Sequence, residues 1–259
     1  MHETRHAIPV LEDQEEAARV FEQYDLLSAA VVDENERLVG VLTIDDVVDV
    51  IQQEAEEDLK RLVGVGDEDL SDSVLRTARS RFVWLLVNLA TSVVASIFIG
   101  LFDATIQEMV ALAVLMPIVA SMGGNAGTQT MTVAVRALAT RDLDVNNARR
   151  ILLRETFVGA FNGLLFAIIM GLIAWLWFGS PQLGYVIGIA MIFNMICAAV
   201  AGMLIPVTLE RLGADPAIAS SVFVTTVTDI IGFVAFLGLA AVYLVACSQR
   251  CRESISDNN

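Results

Sequence analysis

TFVGAFNGLLFAIIMGLIAWLWFGSPQLGYVIGIAMIFNMICAAVAGMLIPVTL, residues 156–209, runs for 54 residues without an Asp, Glu, Lys or Arg. A helix needs about 20 apolar residues to cross the hydrocarbon core of a bilayer, so this run is too long for one crossing and long enough for two. GSPQLG at 179–184 interrupts it, which predicts spans at about 157–178 and 185–209. Outward from there, Ala217–Val245 is apolar except for one ionisable residue, Asp229. On the N-terminal side, Met109–Val135 is uncharged but broken by Pro117 and GGNAG (123–127), and Phe82–Phe102 carries no charge over 21 residues. The pattern predicts a membrane all-α bundle of five transmembrane helices, at about 82–102, 109–135, 157–178, 185–209 and 217–245. They form a membrane domain over 82–247, with a polar tail at 248–259.

Composition agrees with two solvents in one chain. The sequence is 56% hydrophobic yet has a net charge of −15. Residues 1–72 hold 21 acidic side chains against 5 basic ones, a net of −16, whereas 73–259 hold 10 against 11, a net of +1. So acidic a region repels nucleic acid and anionic lipid and attracts cations, so nucleic acid is not an expected partner. Within it, residues 12–24 read as an amphipathic helix with Ala17, Val20, Phe21 and Tyr24 on one face. Two short apolar runs joined by a turn at Glu34–Glu36 read as a hairpin, and 44–63 carries Val47, Val50 and Ile51 at helical spacing. A partial α+β module is thus expected over 1–53, then an acidic linker and connecting helix over 54–81.

Cys197, Cys247 and Cys251 are odd in number and lack metal-ligand spacing, so neither a disulfide framework nor a zinc site is expected. No signal peptide precedes the acidic region, which is therefore expected to stay in the cytoplasm. Arg76, Arg79 and Arg81 precede the first span, and Arg136, Arg141, Arg149, Arg150 and Arg154 lie between the second and third. By the positive-inside rule both segments are cytoplasmic, and five spans then put the C-terminal tail outside.

The chemistry lies in the second and fifth spans. A carboxylate at mid-bilayer costs roughly 2.5–3.5 kcal/mol on insertion scales and marks a functional site by default. For Asp229 the plain alternative is a buried carboxyl satisfied by Thr225, Thr226 or Thr228. The second span adds Asn125, Thr128, Gln129, Thr130 and Thr132 beside its Pro and Gly, and its plain alternative is a tight helix-packing face. Oxygen ligands without thiolate or imidazole suit Mg2+, Ca2+ or Mn2+. One carboxylate is too sparse for a dehydrated Ca2+ cage and fits a Mg2+ that keeps its waters, with Mn2+ and Co2+ left open.

PIVASMGGNAGTQT (117–130), RALATRDLD (136–144) and DPAIASSVFVTTVTDIIGF (215–233) resemble the signature of the MgtE family of magnesium channels. VVDENERLVGVLTIDDVVDVI (31–51) resembles the C-terminal part of a CBS domain, a generic α+β module being the alternative. The resemblance implies a homodimer in membrane lipid, with a pore on the dimer axis lined by the second and fifth spans. It implies Asp229 as the selectivity carboxylate, with Thr225, Asn125, Gly127 and Thr128 facing the pore and Asp215 at the cytoplasmic mouth. Thr128 and Ser221 stand where some relatives carry Asn, which bears on the outer hydration contacts. It further implies that cytoplasmic Mg2+ bridges Asp25, Asp46, Asp49, Glu54, Glu57 and Asp58 and closes the pore through a plug helix at 59–80. The family's N-terminal helical domain and most of its CBS pair are not among these residues, so weakened gating is expected.

The expected function is a Mg2+-selective channel in a bacterial-type plasma (inner) membrane. It would carry hydrated Mg2+ inward down its electrochemical gradient, with Mg2+ as both substrate and regulator. The alternative is a proton- or sodium-coupled divalent cation carrier. No Ser/His or Cys/His set and no phosphate-binding Gly loop supports an enzyme.

Overall fold

The computed structural model describes residues 7–62, 73–139, 145–213 and 216–256, with backbone alone at 58–59, 61–62, 145–146, 216–220 and 244–256. The chain divides into two compact units, 1–71 and 72–259.

The first unit runs β1 (Ala7–Pro9), α1 (Gln14–Tyr24), β2 (Ser28–Val32), β3 (Leu38–Thr43) and α2 (Ile44–Leu62). Its sheet has the order β1-β2-β3, with β1 parallel to β2 (Ala7 opposite Ala30) and β2 antiparallel to β3 (Ser28 opposite Thr43). The hairpin turn forms as expected, because the Asp33 side chain accepts from the backbone N–H of Asn35 (2.9 Å) and Arg37 (2.8 Å). Ile8, Ala17, Ala18, Phe21, Ala29 and Val47 make the core. The buried face of α1 is therefore Ala17, Ala18 and Phe21. Val20 is half-buried and Tyr24 is 48% exposed, contrary to the face read from the sequence. Two small alanines let the helix sit close to the sheet, while Tyr24 stays outside that core. The strand β1 has no counterpart in the sequence reading, since three residues carry no alternation to detect. Helix α2 continues to Leu62 without a break, so the boundary expected at 53/54 falls inside one helix. Residues 63–72 of the expected plug helix lie outside the described residues.

The second unit contains α3 (Val74–Gly100), α4 (Asp103–Glu108), α5 (Ala111–Ala139), α6 (Val145–Phe178), α7 (Pro181–Arg211) and α8 (Pro216–Ser256). Five of these helices are long and apolar enough to cross a membrane. All five are longer than the expected spans, because an uncharged run marks the part in lipid and not the end of the helix. Residues 74–80 are the first turns of α3, and α8 passes through most of the expected polar tail, where no Gly or Pro stops it. The break at 179–184 is shorter than expected. Gly179 turns the chain at φ +66, the Ser180 side chain accepts from the Leu183 N–H, and Pro181 starts α7. The segment read as a loop is mostly a helix cap.

Helix α7 sits at the centre and packs on α5, α6 and α8, while α3 rests on α8. Two thirds of the apolar window of α7 is buried (67%), against 6% of that of α3. Such outward apolar surface suits a helix whose solvent is lipid. Small residues set the close approaches. A Cβ at Gly202 of α7 would stand 2.6 Å from the carbonyl oxygen of Gly127 on α5.

Candidate functional site

Helix α5 presents two different faces. Gly123, Gly127, Thr130, Met131 and Ala134 are buried toward α7 and α8, whereas Ser121, Asn125, Thr128, Gln129, Thr132 and Arg136 are exposed. The exposed set recurs at three- and four-residue steps and so forms one polar stripe along the outside of the bundle. The span therefore has a packed face of small residues and a separate exposed polar face. Gly127 does not belong to the exposed stripe. A Cβ there would stand 2.6 Å from Val224 Cγ1 and 3.3 Å from Thr228 Cγ2, so its bare backbone lets α8 come close.

Thr228 is fully buried against that glycine. Asp229, one residue on, is half-buried, and Thr225 and Ser221 are half-buried one and two turns before it on the same face. The threonine hydroxyls do not serve the carboxylate. Thr225 Oγ1 donates to the carbonyls of Ser221 (2.9 Å) and Val222 (3.1 Å), Thr226 Oγ1 to that of Val222 (2.6 Å), and Thr228 Oγ1 to that of Thr225 (3.0 Å). A hydroxyl has one proton, so these three are committed to their own helix. Thr128 likewise donates to the Gly124 carbonyl at 2.9 Å and Thr132 to that of Thr128 at 2.9 Å. Thr128, Thr132 and the half-buried Thr225 keep lone pairs, and Asp229 its carboxylate oxygens, for a hydrated ion, whereas the buried Thr228 does not. Asp215 lies outside the described residues.

The acidic residues of the first unit are spread along its elements. Asp25 ends α1 in the left-handed conformation at φ 50 and is exposed. Asp46 Oδ2 accepts from the Thr43 hydroxyl at 2.6 Å and from the Thr43 N–H at 3.3 Å, the link of a capping box at the start of α2. Thr43 also lies against Asp45, and that contact, then a backbone hydrogen bond, holds the Asp45 carboxyl below its ordinary range. Asp49 is exposed, Glu54 accepts from Gln14 Nε2 at 2.8 Å, and Glu57 is half-buried. The Asp58 side chain lies outside the described residues. Among the described residues, no three His, Cys, Asp or Glu side chains are grouped so as to hold a metal.

The sequence reading passed over Asn194 of α7, which is 1% exposed. Its Nδ2 donates to the Val119 carbonyl of α5 at 2.8 Å, and its Oδ1 has no hydrogen-bond partner among the described residues. A search for charged residues in apolar runs does not find an amide; a search for any polar side chain there does.

Five helices long and apolar enough to cross a membrane, with a half-buried carboxylate on α8 and an exposed polar face on α5, mark a multi-pass membrane protein. Residues 116–239 match the MgtE family model, described as a divalent cation transporter, and residues 1–53 match the CBS domain model. The chain is 39% identical over 240 residues to the magnesium transporter MgtE of Thermus thermophilus and 34% over 235 to that of Bacillus subtilis, in each case 90% of this chain and 52% of the relative. It is 34% identical over 238 residues to the magnesium transporter MgtE of Enterococcus faecalis, covering 92% of this chain and 52% of that one. The chain spans about half the length of the curated relatives it matches. Residues 116–239 are thus a transporter domain of the MgtE type, and the relatives that the chain resembles are named as transporters and not as enzymes.

Proposed function

We propose that the chain forms a Mg2+ channel in which hydrated Mg2+ passes along the polar stripe of α5 and is held at Asp229. One observation carries this reading. The membrane-length helix α5 exposes a stripe of Asn125, Thr128, Gln129 and Thr132, and α8, packed against it, carries a carboxylate to which none of its neighbouring threonine hydroxyls donates. Polar groups at membrane depth are stable against water or protein and costly against lipid. A second copy related by a two-fold axis closes the stripe into a conduit and brings a second Asp229 to it. Two carboxylates suit an ion that keeps its waters, and a doubly charged ion entering the cell gains about 4.6 kcal/mol per 100 mV from the membrane potential. Arginines flanking α3 and α6 support a cytoplasmic N-terminus and an external C-terminus in a plasma membrane. Cytoplasmic Mg2+ acts as the regulator through Asp25, Asp49, Glu54, Glu57 and Asp58, with Asp46 also capping α2 and Asp215 at the inner mouth.

The test is uptake into liposomes by the purified chain, with Mg2+ competed against Ca2+, Mn2+ and Co2+. Asp229→Ala abolishes Mg2+ flux and leaves the dimer assembled. Normal uptake by that variant removes the site from the mechanism.

A further inference from the structure

The Asn194 amide is held in a cradle of absent side chains. A Cβ at Gly123 of α5 would stand 2.3 Å from Asn194 Nδ2, and one at Gly232 of α8 would stand 2.9 Å from it. A helical side chain leans over the carbonyl one turn earlier, so glycine at 123 is what leaves the Val119 carbonyl open to a second donor. That bond, 2.8 Å long, also fixes the amide's orientation, with Nδ2 nearer to both glycines than Oδ1 is. Asn194 thus touches both helices that carry the polar face. It meets α5 two residues from Asn125 and α8 three residues from Asp229.

Stability does not account for an amide here. Leucine has nearly the same shape and brings no unpaired oxygen into the apolar interior. Uncharged polar groups between membrane helices fix geometry by bonding across the interface. We propose that Asn194 is a positioning residue. It pins α7 to α5 at Val119, spaces α8 from α5 through the glycine cradle, and so sets how far the Asp229 carboxylate stands from the ion's water shell. The proposal rests on α5 and α8 walling the conduit.

The experiment uses the full chain with Cys197, Cys247 and Cys251 replaced by Ser and nitroxide labels at Val133 of α5 and Phe223 of α8, which are 49% and 51% exposed. Asn194→Leu keeps the shape and removes the bond, while Asn194→Ala with Gly232→Ala refills the cradle without an amide. Both are expected to assemble as the parent does, to shift or broaden the label separation, and to lower the Mg2+-over-Ca2+ uptake ratio by roughly three- to tenfold, the scale of one interhelical hydrogen bond. An unchanged separation and ratio in Asn194→Leu overturns the proposal. Restoration of both by the double variant also overturns it, because the amide is then only a space-filler. If Asn194→Leu does not assemble, Asn194→Ser is read by the same two measurements. If the parent chain carries no Mg2+, the proposed function fails, while the label separation still decides the positioning role.

Discussion

At the scale of single residues, Asp229 and Asn194 show what an apolar sequence reveals and what it conceals. Hydrogen bonds to a charged group are worth about 1.5–3 kcal/mol, so Asp229→Asn, which keeps the shape and loses the charge, lowers Mg2+ flux by roughly ten- to a hundredfold in a liposome assay. Thr225→Val loses only a lone pair for a bridging water, because its proton already goes to the carbonyls of Ser221 and Val222. Its expected reduction is about fivefold or less, and a loss as deep as that of Asp229→Asn would move the ion contact one turn along α8. Asp229 was legible because one charge in 29 apolar residues stands out in any reading. Asn194 was not, because an amide carries no charge and its partner Val119 is 75 residues away. Gly127 was read as part of a polar stretch, although the 100° turn between helical neighbours sends it to the packed face while Thr128 goes to the open one.

Among the elements, the apolar runs gave the number and type of the membrane helices, and the polar signals near their ends misled. GSPQLG reads as a loop by composition, but Ser180 and Pro181 are a helix start. Packing is the next level, and glycine controls it where α5 meets α7. Gly202→Ala drives a methyl to 2.6 Å from the Gly127 carbonyl oxygen, a backbone atom that no rotamer change can move. Overpacking of this kind costs about 1–3 kcal/mol, so the purified variant is expected to unfold several degrees below the parent in a detergent thermal scan. In the first unit, Thr43→Ala removes the hydroxyl partner of Asp46 at the start of α2 and costs about 1 kcal/mol. Amide exchange in the first turn of α2 should quicken, with that of α1 changed far less; equal protection in both variants would show that the capping box is immaterial.

Across the whole molecule, the division of charge separates residues 1–72 at −16 from residues 73–259 at +1, and this was legible because each solvent selects its own composition. What one sequence does not carry is how a second copy would meet the proposed α5 stripe, since that depends on a symmetry operation and not on any local pattern. Regulation belongs to this scale. Seven carboxylates occupy Asp45–Asp58 with no base before Lys60, and their mutual repulsion is relieved best by a divalent cation. Several of them have structural engagements of their own: Asp46 caps α2, Glu54 takes the Gln14 amide and Glu56 takes that of Gln52. Neutralising the whole run would therefore mix a stability loss with a gating change. A variant that keeps those three contacts is Asp49→Asn, Glu57→Gln and Asp58→Asn together. If cytoplasmic Mg2+ closes the pore by bridging these groups, the triple variant stays open at millimolar internal Mg2+ where the parent closes, and its Mg2+ dependence shifts to higher concentration in patch recordings. Because bridging exchanges bound monovalent counterions for one divalent ion, the parent's closing concentration should also rise with added KCl, and that of the triple variant much less. Identical open probability in the two proteins across that range would leave the run as a solvated helix face.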